Sequence, residues 1–445
     1  LTLKTHGISR QDDYAWLRAD NWQEDMRDPS TLDKDIRDYL EAENDYQQQM
    51  MASTESLQAA LFAEMKGRIK EDDRSVPSPD GPYAYGTRFD TGGQHPKIVR
   101  TARDGGRETV LLDGDHEARD ADYFQLGGAE HSPDHSLLAW TYDDKGSEFY
   151  TLRLRDTKTG LDRDTRICDT GGGGIFCANG EFLFYVRLDD NHRPSRLFRH
   201  EVGTDPVNDV LIHEEKDAGF FMSVGKTQSG NLILIDIHDH ETSEVWMIRA
   251  DKPTEPATLI AQRETAIEYS VEEHNATLFI LTNTDDAEDF KIVTVSMDNP
   301  AREHWQDYLP HQAGRLILSH TLYQDYMVRL EREEGLPRIV ISDFSTNAEH
   351  DIAFDEQAYS LGMSDGYEFA TDTVRFTYSS MTTPSRVYDY NMRTRERQLR
   401  KEQEVPSGHD PADYETRRIH ARAPDGESVL FLRSGPRSFV RDLYE

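Results

Sequence analysis

The sequence predicts an all-β fold, a seven-bladed β-propeller, that follows a short helical segment. From about Val76 onwards, short runs rich in Val, Ile, Tyr and Phe alternate with turns rich in Gly, Asp, Asn and Pro, a pattern typical of successive β-strands. A repeat length near 47 residues with several strands per repeat is typical of propeller blades. The starts of the repeated runs are separated by 47, 48, 46, 48 and 48 residues, and they lie at Phe149, Arg196, Glu244, Phe290, Arg338 and Arg386.

The repeat extends towards the N-terminus with less regular spacing. An earlier candidate strand starts at Pro96, 53 residues before the one at Phe149, and seven units then fit between about residue 76 and residue 404. The β-rich composition excludes a helical solenoid, and a β-sandwich would not need seven equally spaced units. Another strand is predicted 11 to 15 residues ahead of most repeated runs, starting at Leu137, Phe182, Leu232, Leu278 and Val374.

The first 66 residues are predicted to be helical. Ser30 is a candidate cap for one helix, with Asp33 three residues later in the capping-box position. Ser53 or Thr54 is a candidate cap for a second helix, and Gly67 is a candidate terminating residue. Each helix has an apolar face that needs a surface to cover it. The apolar positions are Leu32, Ile36, Tyr39, Leu40 and Tyr46 in the first helix and Leu57, Leu61 and Met65 in the second.

Charge and composition narrow the classes of partner. The 445 residues include 50 Lys and Arg against 84 Asp and Glu, a net charge of 50 − 84 = −34. Such a charge repels nucleic acid and anionic lipid and attracts basic peptides, although it could also serve solubility alone. No apolar run approaches the roughly 18 residues of a membrane helix, and no secretory signal is recognisable from Leu1. We expect Cys168 and Cys177 to be reduced thiols in a cytoplasmic protein.

The search for chemistry finds one formal nucleophile motif, Gly362-Met-Ser364-Asp-Gly366. A nucleophile elbow needs a helix after the serine, whereas the residues that follow include the strand-like Val374-Arg-Phe-Thr-Tyr. We therefore interpret the motif as a glycine-rich turn between blades. The run from Gly171 to Gly174 lacks the ending of a phosphate-binding loop and is interpreted as an inter-blade loop.

Other polar clusters are interpreted as solvated loops. His238 and His240 could form a metal-ligand pair, but no third ligand is recognisable. Asn275-Ala-Thr is a glycosylation sequon by pattern, without a secretory signal to make it relevant. The acidic pairs could bind basic side chains and are expected to lie in exposed loops; they begin at Glu71, Asp143, Glu214 and Asp285.

Taken together, the residues from about 5 to 426 resemble the oligopeptidase B branch of the prolyl oligopeptidase family of serine peptidases. No matching stretch is specific by itself, but the occurrence of all of them in the order seen in the family is highly specific. They are Asp12-Asp-Tyr-Ala-Trp-Leu-Arg, Tyr39-Leu-Glu-Ala-Glu-Asn, Met65-Lys-Gly-Arg-Ile-Lys-Glu-Asp-Asp, His213-Glu-Glu-Lys-Asp, Thr242-Ser-Glu-Val, Ile352-Ala-Phe-Asp, Tyr378-Ser-Ser-Met-Thr-Thr-Pro and Gln403-Glu-Val-Pro.

This resemblance implies a seven-bladed propeller that covers an α/β-hydrolase domain and limits a Ser–Asp–His triad to short peptides, cleaved after Arg or Lys. It divides the chain into an N-terminal helical segment that packs with the hydrolase domain (1–72), the propeller (73–404) and a truncated beginning of the hydrolase domain (405–445). After Pro424-Asp-Gly the chain departs from the family pattern with Val429-Leu-Phe-Leu. The family's triad lies in the part of the hydrolase domain that the resemblance does not cover.

We therefore expect no catalytic, cofactor-binding or metal-binding residue in this chain, and no cofactor. The expected partners are short Arg- or Lys-containing peptides and the missing α/β-hydrolase domain, with no nucleic acid and no membrane. Three hypotheses remain open: the gating part of a serine oligopeptidase that is inactive alone, a stand-alone acidic propeller that binds basic peptides, and a non-functional truncated gene product.

Overall fold

The computed structural model describes residues 1–436, and the chain begins with a β-hairpin. Strand Thr2–Thr5 pairs with strand Ile8–Gln11. The two turn residues, His6 and Gly7, have φ angles of 53° and 78°. Two consecutive left-handed residues are what a tight two-residue hairpin needs, and glycine adopts this conformation without strain. The prediction of helix throughout the first 66 residues is wrong for this stretch.

Three α-helices follow, at Trp22–Arg27, Lys34–Met51 and Glu55–Gly67, with short 3-10 turns at Ala15–Leu17, Pro29–Thr31 and Ala52–Thr54. The long helix is capped by Asp33, whose side chain accepts a hydrogen bond from the backbone N–H of Asp35. Ser30, the predicted cap, lies instead in a 3-10 turn capped by Asp28. An ionised carboxylate at the N-terminal end of a helix also complements the helix dipole.

The third helix starts after Thr54 and ends at Gly67. Thr54 does not cap it through its side chain, because its hydroxyl donates to the carbonyl oxygen of Met51 at 2.7 Å. The apolar side chains of both long helices are largely exposed in the described part of the chain, and Ile36 is a buried exception. The exposed set includes Leu40, Tyr46, Met50, Leu57, Leu61, Phe62 and Met65.

The rest of the chain to residue 402 folds into consecutive antiparallel sheets, numbered here in chain order. Sheet 1 contains Ser78–Asp80, Tyr83–Arg88, Lys97–Ala102 and Glu108–Asp113, and a short helix follows at Gly114–Ala118. Sheet 2 contains Gln125–His131, Leu137–Asp143, Tyr150–Asp156, Asp162–Thr170, Ile175–Phe176, Phe182–Leu188, Pro194–Glu201 and Val210–Glu214.

The remaining four sheets have four strands each. Sheet 3 contains Phe221–Lys226, Leu232–His238, Ser243–Arg249 and Thr258–Ala261, and sheet 4 contains Tyr269–His274, Thr277–Thr282, Lys291–Ser296 and Gln306–Leu309. Sheet 5 contains Arg315–Leu322, Tyr326–Glu333, Leu336–Asp343 and Glu349–Asp351. Sheet 6 contains Ser360–Ser364, Thr373–Ser379, Arg386–Asn391 and Arg397–Glu402. Single 3-10 turns lie at Pro206–Asn208, Arg302–His304 and Pro411–Asp413.

The architecture is that of an all-β propeller with a short helical segment, as predicted. The repeated runs and the strands ahead of them are strands in the structure, at the predicted places. The count of seven blades is not confirmed, because the described residues form five four-stranded sheets and one eight-stranded sheet. The two halves of sheet 2 are joined where Thr170 pairs with Arg187.

Neighbouring sheets are held face to face by apolar clusters. One cluster joins sheets 3 and 4 through side chains that include Leu232, Val245, Ile280 and Val293, all nearly inaccessible to solvent. These side chains come from the second and third strands, the two strands that the repeat in the sequence identified. Burying each such side chain contributes about 1.5–3 kcal/mol.

The ring closes by contact between sheet 6 and the residues that lead into sheet 1. Nη1 of Arg375 donates to the carbonyl oxygens of Val76 and Pro77, at 3.0 Å each. Nε of the same residue donates to Asp389 at 2.7 Å, which fixes the guanidinium group. Nearby, Nζ of Lys401 donates to Asp73 at 2.6 Å. The bonds to Val76, Pro77 and Asp73 join residues that are 298 to 328 positions apart in the sequence.

The propeller has two faces, which differ in the turns that form them. The terminal face is formed by the turns between second and third strands, such as residues 144–149, 334–335 and 380–385. The N-terminal segment lies on this face, since Arg27 donates to Asp169 at 2.8 Å and stacks on Phe149. The far face is formed by the turns between first and second strands, such as residues 81–82, 132–136, 227–231 and 365–372.

A two-stranded hairpin, Tyr414–Arg422 with Ser428–Pro436, also lies on the terminal face. The backbone N–H of Arg418 donates to the side chain of Gln357 at 3.0 Å. The strand predicted at Tyr414 and the turn predicted at Pro424 are confirmed. The assignment of 405–445 to a hydrolase domain stays a prediction, and residues 437–445 lie outside the described residues. No helix among residues 1–436 is long and apolar enough to cross a membrane.

Candidate functional site

One loop, residues 365–372, lies across the far face and contacts every sheet of the ring. We call it the far-face loop; it joins strands Ser360–Ser364 and Thr373–Ser379 of sheet 6. Arg103 of sheet 1 forms an ion pair with Glu368 at 2.5 Å. From sheet 3, Nε2 of Gln228 donates to the carbonyl oxygens of Asp365 at 3.2 Å and Glu368 at 3.4 Å. The loop is therefore anchored across the ring as well as to its neighbours.

Sheet 5 provides the closest anchors of this loop. The hydroxyl of Thr321 donates to the carboxylate of Asp365 at 2.7 Å. The hydroxyl of Tyr323 donates to the carbonyl oxygen of Asp365 at 3.2 Å. The backbone N–H of Gln324 donates to the carbonyl oxygen of Phe369 at 3.1 Å. Two of these three acceptors on the loop are backbone carbonyl oxygens, so part of the anchoring by sheet 5 does not depend on the side chains of the loop.

Aromatic contacts complete the closure of the far face. The ring of Tyr367 packs edge-on against His131 of sheet 2, with centroids 4.8 Å apart, and lies 6.0 Å from Tyr85 of sheet 1. The ring of Phe369 lies 6.0 Å from His274 of sheet 4. The far-face loop, itself part of sheet 6, thus contacts each of the other five sheets.

Carboxylates concentrate beneath the far-face loop. Glu272 accepts a hydrogen bond from the backbone N–H of Gln228 at 2.9 Å. Desolvation raises the pKa of Glu272 to about 8, and the negative charges of Asp365 and Glu273 add to the effect. Glu273 accepts hydrogen bonds from Ser229 and Asn231 at 2.7 and 2.8 Å. The closed end of the propeller is thus acidic, with one carboxyl group protonated near neutral pH.

A compact polar cluster lies beside Tyr367, between sheets 1 and 2. Nε2 of His131 lies 2.6 Å from Oδ2 of Asp80. Nδ1 of His135 lies 2.8 Å from the hydroxyl of Tyr85, whose ring stacks on that of His131 with centroids 3.7 Å apart. Among residues 1–436, Asp80, His131 and His135 form the group of three whose ligand atoms converge as a metal site would require.

Two cavities lie along the seam between sheets 1 and 6, with volumes of about 410 Å³ and 240 Å³. Both are lined by Ser78, Ser364, Tyr367 and Arg375. His131 and Tyr85 also line the larger cavity, which connects the polar cluster to the seam. A third cavity of about 670 Å³ lies on the terminal face between the third helix and the 380–385 turn. There, Nε2 of His409 donates to the carbonyl oxygen of Thr382 at 2.7 Å.

Ser364 is not on a nucleophile elbow. It is the last residue of strand Ser360–Ser364, paired with Arg375, and the next element is strand Thr373–Ser379. The interpretation of the whole motif as a turn between blades is wrong, because its first half is a strand. A different Ser–His contact exists at the C-terminal hairpin, where Oγ of Ser428 lies 3.1 Å from Nδ1 of His420. Both residues are exposed, and no carboxylate among residues 1–436 is hydrogen-bonded to that histidine.

His238 and His240 are exposed and do not belong to a metal-ligating group within the described part of the chain. Asp239 between them accepts hydrogen bonds from the backbone N–H groups of Glu241 and Thr242, at 2.8 and 2.7 Å. The interpretation as a loop is wrong for His238, which is the last residue of strand Leu232–His238, and it is correct for His240 in the turn that follows. That this pair binds no metal stays a prediction. The run from Gly171 to Gly174 joins the two halves of sheet 2. It packs closely against Gly128, where a Cβ atom would collide with the carbonyl oxygen of Gly172.

The acidic pairs differ from the expectation of exposed loops. Asp143 and Glu215 are buried, and each carboxylate has hydrogen-bond or ion-pair partners in the fold. Asp143 accepts from the backbone N–H groups of Lys145 and Glu148, at 2.9 and 2.7 Å, and Glu215 forms an ion pair with Arg263. Only the Asp285 pair among these is exposed in both members, and even there Asp285 binds Lys291 at 2.9 Å.

Comparison with known proteins identifies this arrangement. A family model described as the prolyl oligopeptidase N-terminal β-propeller domain matches residues 2–403. The chain belongs to the prolyl oligopeptidase family. Its resemblance to that family, seen in ordered short stretches of sequence, is confirmed.

Curated relatives in the prolyl oligopeptidase family cover nearly the whole chain. Dipeptidyl aminopeptidase BI from Pseudoxanthomonas mexicana is 34% identical over 96% of this chain and 60% of its own length. Protease 2 from Moraxella lacunata is 28% identical over 95% of this chain and 60% of its own length. The chain therefore spans about three fifths of the length of these relatives.

Solved structures agree with this assignment. Oligopeptidase B from Leishmania major superposes with a TM-score of 0.88 at 25% identity, covering 97% of this chain and 61% of that one. Oligopeptidase B from Trypanosoma brucei, in a closed form with covalently bound antipain, has a TM-score of 0.88 at 26% identity and the same coverage. The propeller part of a family peptidase is thus established for this chain.

Proposed function

We propose that this chain is the substrate-gating propeller of a serine oligopeptidase that cleaves short peptides after Arg or Lys. The observation that carries the proposal is the family match over residues 2–403, together with a span of about 60% of the curated relatives. The closed far face supports a gating role, because it leaves the terminal face as the route by which peptides reach the interior. The acidic interior and a net charge of −34 favour basic peptides.

We also propose that the ring has seven blades, with sheet 2 counted as two. Its halves are joined through the pair Thr170 and Arg187, and each half repeats the four-strand order of the other sheets. The strands Tyr150–Asp156 and Pro194–Glu201 then occupy equivalent third positions in the two blades.

The missing partner of the terminal face is proposed to be an α/β-hydrolase domain. Leu57, Leu61, Phe62 and Met65 of the third helix are between 47% and 65% exposed, which is costly for a helix face with no partner. We also propose that this chain is inactive by itself. Ser364 lies on a strand, and among residues 1–436 no carboxylate is hydrogen-bonded to the histidine of the exposed Ser428–His420 contact. A cytoplasmic location is proposed from the free thiols of Cys168 and Cys177.

A peptidase assay tests the proposal directly. The purified 445-residue chain is expected not to hydrolyse reporters ending in Arg or Lys, and hydrolysis that a serine-directed inhibitor blocks would contradict this. A longer product of the same gene, if the DNA after codon 445 encodes G-x-S-x-G with Asp and His at hydrolase spacing, is expected to cleave those reporters and to leave Ala reporters nearly intact.

The relative named dipeptidyl aminopeptidase supports a second specificity, the release of dipeptides from a free amino terminus. Reporters with blocked and free amino termini separate the two, because an endopeptidase cleaves both and an aminopeptidase cleaves only the free form.

A stand-alone acidic propeller is the remaining functional alternative. It predicts that the 445-residue chain binds a basic peptide tightly at low salt and more weakly as salt rises. Failure of both binding and hydrolysis in every form of the protein would favour a non-functional gene product.

A further inference from the structure

We propose that Asp80, His131 and His135 form a binding site for a divalent transition-metal ion of the zinc type. One ligand atom from each of the three residues lies within 4.8 Å of the other two. Two imidazoles and one carboxylate are a ligand set that suits zinc and similar ions. The proposal does not depend on the function proposed above.

The present spacing is close to that of a metal centre. In a tetrahedral zinc site with bonds of about 2.0–2.1 Å, neighbouring ligand atoms are about 3.3 Å apart. Nε2 of His131 and Oδ2 of Asp80 are 2.6 Å apart, so they need to separate by less than about 1 Å. The remaining separations, up to 4.8 Å, need to shorten by no more than about 1.5 Å.

The surroundings orient the two imidazoles. The ring of Tyr85 stacks on His131 within 5° of parallel, and its hydroxyl lies 2.8 Å from Nδ1 of His135. A hydrogen-bond partner on one ring nitrogen of a histidine fixes which nitrogen is free to bind a metal. Nη1 of Arg100 donates to the carbonyl oxygen of His135 at 2.7 Å, which holds the 132–136 turn in place.

Glycine at position 81 leaves room beside the cluster. Gly81 has a φ of 51°, and a Cβ atom there would lie 3.1 Å from Nε2 of His135. A side chain at this position would crowd that nitrogen, whereas glycine leaves it accessible. Asp80 itself is 29% exposed in its side chain, so an ion has a path to the carboxylate.

Lys226, a cation near the cluster, is already paired with Glu130 at 3.0 Å. Its charge is therefore partly balanced by a carboxylate outside the proposed ligand set.

The position of the cluster indicates what the metal would do. Asp80 is the last residue of the first strand of sheet 1, and His131 is the last residue of the first strand of sheet 2. A metal bound here would link these two sheets next to Tyr367 of the far-face loop, because it would take ligands from both. Its role would be structural, in holding the far face closed.

The test uses Zn²⁺ alone and the 445-residue chain. Metal-free protein is titrated with Zn²⁺ by calorimetry, its thermal midpoint is followed with and without Zn²⁺, and Co²⁺ replaces Zn²⁺ to give an absorption spectrum that reports coordination geometry. We expect one ion per chain, a saturable rise in the thermal midpoint, and Co²⁺ bands of a low-coordinate nitrogen and oxygen site.

Ligand variants and a matched control decide the assignment. His135→Gln and Asp80→Asn are each expected to weaken Zn²⁺ binding at least about tenfold and to remove the Co²⁺ bands. Asp80→Asn serves as the second variant if His135→Gln does not fold. The double variant His238→Gln/His240→Gln removes two exposed histidines elsewhere and is expected to bind like the original chain. Absence of stoichiometric binding, equal binding by the ligand variants, or loss of binding in the control would each overturn the proposal.

Discussion

The two faces of the propeller are completed in different ways. On the far face, the loop 365–372 is anchored by polar bonds and ring contacts to every sheet, so its groups are satisfied within the chain. On the terminal face, the two long helices display apolar side chains, with Phe62 65% exposed and Met65 59% exposed. The far-face loop is thus covered by contacts within the chain, whereas the long helices of the terminal face expose apolar side chains that residues 1–436 do not cover.

The same contrast separates the forces that hold each region. Sheets are fixed by buried apolar clusters and by closure bonds such as those of Arg375 to Val76 and Pro77. The third helix has no buried residue. Just after it, Lys70 forms an ion pair with Glu404 at 2.6 Å. Exposed ion pairs contribute little to the free energy of unfolding, about 0–1 kcal/mol each.

A pair of Phe substitutions gives the largest expected contrast between the regions. Phe376 in sheet 6 is fully buried, so Phe376→Ala is expected to lower the free energy of unfolding by about 3–5 kcal/mol. Phe62→Ala removes the same atoms from an exposed site and is expected to change it by no more than about 0.5 kcal/mol. Denaturant unfolding of both variants measures the difference.

The matched pair can also contradict the comparison. A loss of several kcal/mol in Phe62→Ala would mean that the third helix is covered in solution, and the terminal face would no longer differ from the far face. Greater solubility of Phe62→Ala than of the original chain would instead support an uncovered apolar surface.

The carboxyl group of Glu272 predicts a pH-dependent far face. Desolvation raises its pKa to about 8 from an ordinary value of 4.5, so the folded chain keeps a proton that the unfolded chain releases. The free energy of unfolding therefore falls as pH rises between these values, by about 1.4 kcal/mol per pH unit at most. Glu272→Gln is expected to remove this slope, a difference of about 2 kcal/mol between pH 6 and 7.5.

The control for this prediction is Glu255→Gln, which changes an exposed carboxylate that binds only Lys252. It is expected to leave the slope unchanged in unfolding curves measured across the same pH range. If Glu272→Gln and the original chain keep parallel curves, Glu272 is ionised in the folded state and the prediction is wrong.

Much of the fold could be predicted because it follows from local patterns. The runs starting at Phe149 and Arg338 form strands because alternating β-branched and aromatic residues suit a half-buried sheet. The hairpin at His6 and Gly7 was missed, since four-residue strands give little periodic signal. The cap at Asp33 was displaced from Ser30 by a 3-10 turn that Pro29 starts.

The candidate site could not be predicted in the same way, because it depends on contacts distant in sequence. Asp80 and His131 are 51 residues apart and meet only because both end the first strand of their repeats. That equivalence is visible once the repeat is aligned, and it could have linked the two residues. The hydrogen bond from Gln228 to the carbonyl oxygen of Glu368 joins residues 140 positions apart. No pattern in the sequence marks these two residues as neighbours.

Thr321 provides the smallest and most local test of the far face. Its hydroxyl donates to the carboxylate of Asp365 at 2.7 Å and is buried, so Thr321→Val removes one anchor of the far-face loop at nearly constant volume. Loss of such a hydrogen bond costs about 1 kcal/mol, which corresponds to roughly fivefold faster hydrogen exchange of amides in residues 365–372. Thr258→Val, at an exposed strand position, is expected to leave that exchange unchanged. Unaltered exchange in Thr321→Val would mean that Gln228, Tyr323 and the aromatic contacts hold the loop without it.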